Sequence, residues 1–81
     1  MWKKVGYVKG SKYRTNVMKS LTAGPKIPTE LADDIKIYPN HVSNTLTQLK
    51  NQDLVECINP EAKKGRLYRL TDLGEDVADK L

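Results

Sequence analysis

Asn40, Asn44, Thr47, Gln48 and Asn51 recur at helical spacing, which at about 3.6 residues per turn puts all five on one face. Amides and hydroxyls both donate and accept hydrogen bonds, so such a face can read the edges of nucleobases. Asn and Gln pair bidentately with adenine and Thr can meet the thymine methyl, each good pair giving about 1–3 kcal/mol of discrimination. Opposite them stand Val42, Leu46 and Leu49, an apolar stripe at i, i+4 and i+7. A merely solvated face would favour Lys and Glu, which suit helices better than Asn, Ser and Thr; here Lys50 is the only charge. Asn40, Asn44, Thr47 and Gln48 are therefore the candidates for reading bases. His41 and Ser43, on the flanks, are expected to bind phosphate or cap the helix start.

Affinity for a nucleic acid comes mainly from neutralised phosphates, and the cations are placed unevenly. Residues 1–26 hold seven Lys and Arg and no acid, residues 60–70 hold Lys63, Lys64, Arg66 and Arg69 against Glu61, and segments 27–59 and 71–81 each come to −3 within a net +4. That segregation suggests one side facing a polyanion and an acidic far side. Lys63, Lys64 and Arg66 are the expected phosphate contacts, with Arg14 and Lys12 second in rank. The alternative for each is a basic, solvated surface with no partner.

Other chemistry is poorly served. The single His41 has no second group tied to it and there is no Gly-rich phosphate loop, so no catalytic constellation, metal site or cofactor is expected. Cys57 is the only cysteine, which rules out an internal disulfide and suggests a buried, inert thiol. No apolar run approaches the roughly 18–20 residues of a membrane span and no hydrophobic run follows the N-terminal lysines, so a cytoplasmic protein is expected. The four tyrosines are expected in core or rim packing.

The elements that must position these residues follow in order. Residues 1–10, with Val5 and Tyr7 among the glycines Gly6 and Gly10, read as an extended N-terminal arm ahead of a domain over 11–81. Ser11 suits an N-cap, and Tyr13, Val17, Met18 and Leu21 make the stripe of a helix over 11–23, ended by Gly24-Pro25. Lys26-Ile27-Pro28 is an extended link able to pair as a third strand. Leu31, Ala32 and Ile35 face inward from a helix over 29–36, with the small Ala32 at the closest approach of two helices joined by a tight turn. Pro39 opens the helix over 39–52. Residues 54–58 and 66–70 then form a hairpin around the basic loop, and Thr71 or Asp72 caps a last helix with Leu73, Val77 and Leu81 on one face. The fold class is α+β, mainly α: a winged helix-turn-helix with a three-helix core, a small antiparallel hairpin and a C-terminal helix.

The chain resembles the small winged helix-turn-helix transcription regulators common in archaea, related to the ArsR and MarR groups. The resemblance rests on Ser11-Lys12-Tyr13-Arg14, on His41-Val42-Ser43 with Leu46 and Leu49, on residues 54–60, and on Lys64 to Thr71 with Gly74. It implies a domain that inserts the 39–52 helix into the major groove of double-stranded DNA, lays the wing along phosphates and works as a homodimer; no membrane and no small-molecule effector is evident. The chain departs from that pattern at Ile27, where a capping Thr or Ser is common, at Lys36, where the turn often holds glycine, and at Asn44, where many relatives carry arginine. The competing reading is a winged helix used as a protein-interaction module, which predicts a hydrophobic or acidic exposed face on the 39–52 helix. The apolar residues Trp2, Tyr7, Leu73, Val77 and Leu81 offer a surface for a two-fold dimer, or else close the core of a single copy.

Overall fold

The computed structural model describes all 81 residues, which form α1 (Trp2–Lys9), α2 (Lys12–Leu21), α3 (Pro28–Ile35), α4 (Pro39–Asn51), β1 (Val55–Cys57), β2 (Tyr68–Leu70) and α5 (Asp72–Ala78). The expected α+β winged helix-turn-helix is present, with α2, α3 and α4 as its three-helix core. Local chemistry sets most of the boundaries. Ser11 Oγ accepts from the Arg14 backbone N–H at 3.2 Å and so opens α2. Gly24, at φ +132°, leads the chain away after the helix ends. Ile27 has no side-chain acceptor to cap α3, and the cap is one-sided: Glu30 Oε1 accepts from the Ile27 N–H at 3.0 Å. Lys36 adopts the left-handed conformation (φ 60°, ψ 47°) that glycine takes in other turns. The tight turn is thus kept, at a conformational cost of about 1–2 kcal/mol.

Residues 1–10 correct the expectation of an extended arm. Trp2–Lys9 is a helix, and its Val5 and Val8 are buried in the common core. Val5 and Val8, three apart, anchor one face against α2 and α5, so tertiary burial overrides the unfavourable Gly6 inside the helix. Lys4 Nζ fastens α1 to the far end of α4, donating to Gln52 O at 2.9 Å and to its Oε1 at 3.2 Å.

The core is continuous through all five helices and the hairpin. Val17, Met18 and Leu21 of α2 meet Leu31 and Ala32 of α3 and the stripe of Val42, Leu46 and Leu49 on α4. Each fully buried side chain of this kind contributes about 1.5–3 kcal/mol. Thr45 completes the stripe at 3% exposure, its hydroxyl satisfied by donating to His41 O at 2.7 Å. Leu54, Val55 and Leu70 bring the hairpin onto the core, and Val77 brings α5. Leu73 lies half-buried against the same cluster, so the apolar face of α5 is used within this chain; Leu81 packs there too but lies three residues past the end of α5, not on its face as expected.

In the wing, β1 and β2 pair antiparallel with Val55 opposite Leu70, Glu56 opposite Arg69 and Cys57 opposite Tyr68. Lys26 exchanges two backbone bonds with Tyr68 (3.0 and 2.9 Å), a single isolated bridge beside the two-stranded wing where a third strand was expected. Beside it, hydrogen bonds from Lys26 and Ser20 hold the Asp34 carboxyl below its ordinary pKa. Cys57 is half-buried, more open than expected, with Sγ 3.6 Å from Asn59 Oδ1.

Gly74 is fixed by space. Thr71 Oγ1 caps α5 by accepting from the Gly74 N–H at 2.9 Å, and a Cβ at Gly74 would lie 2.0 Å from the Leu54 carbonyl oxygen. Gly74→Ala is expected to destabilise the fold by about 1–3 kcal/mol, read as a lower midpoint in urea unfolding. An unchanged midpoint would mean that α5 does not dock on Leu54 as described.

Candidate nucleic-acid interface

Burial of the stripe on α4 decides what its other face can do. With Val42, Thr45, Leu46 and Leu49 inside, Asn40, Ser43, Asn44, Thr47, Gln48 and Asn51 are all exposed to solvent. Asn40 and Asn44 make no side-chain hydrogen bond within the chain, so both amides are available in full. Thr47 donates its hydroxyl proton to Ser43 O at 3.1 Å, which leaves its oxygen able to accept. Gln48 is engaged: its Oε1 accepts from Arg14 Nη1 at 3.4 Å.

The start of α4 carries no side-chain cap, so neither His41 nor Ser43 fills that role. His41 is half-buried with its ring 5.0 Å from that of Tyr13 and 6.4 Å from that of Tyr38. Tyr38 is 75% exposed in the turn before α4, which corrects its assignment to packing, and Tyr13 is 39% exposed at the edge of α2. Tyr7 and Tyr68 do pack against the core.

The wing loop is ordered by two side chains. Asn59 Oδ1 accepts from the Leu67 N–H at 2.6 Å while its Nδ2 donates to Gly65 O at 3.1 Å, closing the loop across its base. Arg66 braces the loop from within, its Nε donating to Ala62 O at 2.9 Å and its Nη2 to Pro60 O at 3.0 Å. Gly65 supplies the positive φ of 65° that this path needs. Lys63 and Lys64 are exposed with no intramolecular partner, the free cations of the tip. The loop and the helices enclose an open cleft of about 600 Å³ between Thr29 at the start of α3, Ser43 on α4 and Lys63, Lys64 and Arg66 of the wing.

Sequence-predicted groups are thereby brought into two places. Ser43 and the three wing cations share the cleft, while Arg14 and Gln48 meet on the far side of α4. Lys12 is exposed at the start of α2 and joins neither. Asn59 and Thr29 were not anticipated. An Asn just after a β-rich run is a known turn-former, which was the available signal for Asn59; Thr29 gave none, because its place beside the wing is set by tertiary packing.

No family model and no curated protein matches this chain. Solved structures do. The reduced form of MarR from E. coli superposes with a TM-score of 0.79 at 22% identity, over 96% of this chain and 59% of that one. Adhesin competence repressor (AdcR) from Streptococcus pyogenes gives 0.78 at 18% identity, over 86% and 53%. Lactococcus lactis ZitR in complex with DNA gives 0.75 at 22% identity, over 83% and 47%. The chain spans about half the length of these proteins. At this identity the likeness shows the fold, a winged helix of the kind those regulators carry.

Asn59→Ala removes both bonds that close the wing. It is expected to loosen the loop by about 1 kcal/mol, the worth of the lost brace, with little change in the core. Amide exchange at Leu67 should speed up in the same variant; an unaltered exchange rate would show that another group holds the loop.

Proposed function

We propose that this chain binds double-stranded DNA with sequence specificity as part of a transcription regulator. In this reading α4 enters the major groove, with Asn40, Asn44, Thr47 and Gln48 against base edges. Lys63 and Lys64 rest on phosphates, with Arg66 through its remaining Nη1, and Ser43 and the half-buried His41 add hydrogen bonds to the backbone. The observation that carries it is the polar, uncharged, exposed face of α4 standing beside a basic wing across one open cleft. A protein-docking helix would present apolar or acidic groups there. The DNA complex of ZitR, which has this fold, and the motif likeness to archaeal ArsR- and MarR-type regulators support the same reading.

Lys12 lies outside the cleft and is the weakest of the phosphate candidates. No helix is long and apolar enough to cross a membrane, in keeping with a cytoplasmic regulator. The chain is proposed to act as a homodimer, supported by Trp2, which is 69% exposed on α1 with Lys80 Nζ 5.7 Å from its ring centre. A two-fold pair would place its reading helices about 34–36 Å apart, one turn of duplex. Sedimentation velocity over a range of protein concentrations should show the dimer, and Trp2→Ala should shift it toward monomer; a monomer at every concentration would refute it.

Binding to short duplex DNA at about 50 and 200 mM salt tests the function. Affinity should fall about tenfold for every two phosphates neutralised. The double variant Lys63→Ala/Lys64→Ala should bind all sequences more weakly, with the log–log salt slope reduced by about 1.8. Salt-indifferent binding, or none, would turn the assignment toward a protein partner.

A further inference from the structure

Arg14 sits in a seat built from three elements. Its Nε donates to Tyr7 O at 2.8 Å, its guanidinium carbon lies 4.0 Å above the Tyr7 ring centre, and its Nη1 donates to Gln48 Oε1 at 3.4 Å. Gly10 leaves room for the group: a Cβ there would stand 3.3 Å from Nη2. The side chain therefore reaches from α2 across the end of α1 to the exposed face of α4, with its planar fork held on both edges. Two of its five N–H donors are thereby spent within the chain.

We propose that Arg14 is a positioning residue for Gln48, and that Gln48 consequently reads an acceptor edge in the major groove, guanine N7/O6 or thymine O4. This rests on the DNA-binding reading above and assigns one base contact within it. Guanidinium has five donors and no acceptor, so the amide atom facing it must be the oxygen. That fixes the orientation of the Gln48 amide, with Nε2 left free of any intramolecular partner. An unconstrained glutamine reads adenine by using both ends, its oxygen accepting from N6 and its nitrogen donating to N7. With the oxygen turned to Arg14, only the donor end is presented. The neighbouring cation also polarises the amide, which strengthens the outward N–H as a donor. Thr47, whose proton is spent on Ser43 O, supplies the complementary acceptor one residue away.

The test is a selection of bound fragments from random duplex DNA with the wild type and with Arg14→Met, Arg14→Lys, Gln48→Ala and Gln48→Glu. Wild type is expected to favour G or T at one position of the site. Gln48→Ala and Arg14→Met should both lower that preference by about fivefold or more, and the double variant should lower it no further. Arg14→Lys should not rescue it, because an ammonium cannot occupy the Tyr7 carbonyl and Gln48 together. Gln48→Glu leaves the Arg14 seat and its acceptor intact but removes the outward donor, so the preferred base should change to C or A. That variant decides the matter even if loss of Arg14 unfolds the chain.

Salt dependence separates the competing role for Arg14. If it holds a phosphate, Arg14→Met reduces the slope by about 0.9 and leaves base preferences alone, and the proposal is overturned. It is equally overturned if wild type selects A at the position that Gln48→Ala relaxes, or if Gln48→Glu keeps the wild-type preference. Failure of wild type to bind any duplex would remove the DNA-binding reading itself, an outcome distinct from specific binding with an indifferent Gln48.

Discussion

The burial of one stripe of α4 is the constraint on which the rest depends. Val42, Leu46 and Leu49 can leave water only by packing under α2 and α3, and that burial is worth several kcal/mol against weak preferences on the polar side. Once the stripe is seated, the rotation of α4 about its axis is set, and with it the six exposed amide and hydroxyl residues. The hairpin follows directly because Leu54 and Val55 continue the same core immediately after the helix. Leu54 in turn accepts the Thr71 N–H at 3.1 Å and leaves no room beside Gly74, which docks α5. A helix, a wing and a closing helix are thus chained to one hydrophobic contact.

The basic composition divides, on folding, into cations that hold the structure and cations that remain free. Lys4 ties α1 to α4, Lys26 joins α3 and Ser20, Arg66 braces the wing loop, and Arg69 meets Glu56 across the ladder at 3.0 Å. None of these is expected to be worth much individually, since exposed pairs contribute about 0–1 kcal/mol. Their effect is geometric: each fixes a backbone segment that carries an interface residue. Lys63 and Lys64, with no partner, are left where the wing projects, and there the field of a charge reaches into solvent over about a Debye length.

The departures from the resembled pattern show how the same architecture tolerates different local chemistry. Ile27 cannot cap α3, yet Glu30 supplies half of a capping box from inside the helix. Lys36 accepts a left-handed backbone in place of glycine, and the helix-turn-helix is retained at a cost in strain. At Asn44, where the resembled pattern often has arginine, a neutral amide stands exposed, so the chemistry of that position is hydrogen bonding with no added charge.

The amino-acid sequence by itself determined the helices over α2 to α5, the hairpin and the free face of α4. Those features are written in short-range signals: periodicity of Val42, Leu46 and Leu49, the Ser11 and Thr71 caps, and the turn residues Gly24-Pro25 and Pro60 to Gly65. Thr45 falls at about 300° on the α4 wheel, beside that stripe, but a hydroxyl residue carries no local sign of burial, which its bond to His41 O allows. Only the tertiary structure decided that residues 2–9 are helical, because Gly6 and Gly10 weaken the local signal and the burial of Val5 and Val8 comes from distant α2 and α5. It likewise decided which cations are braces and which are free, and that Arg14 meets Gln48. Those partners lie up to 48 residues apart, and a pairing at that separation is fixed by how the helices pack and leaves no local pattern to read.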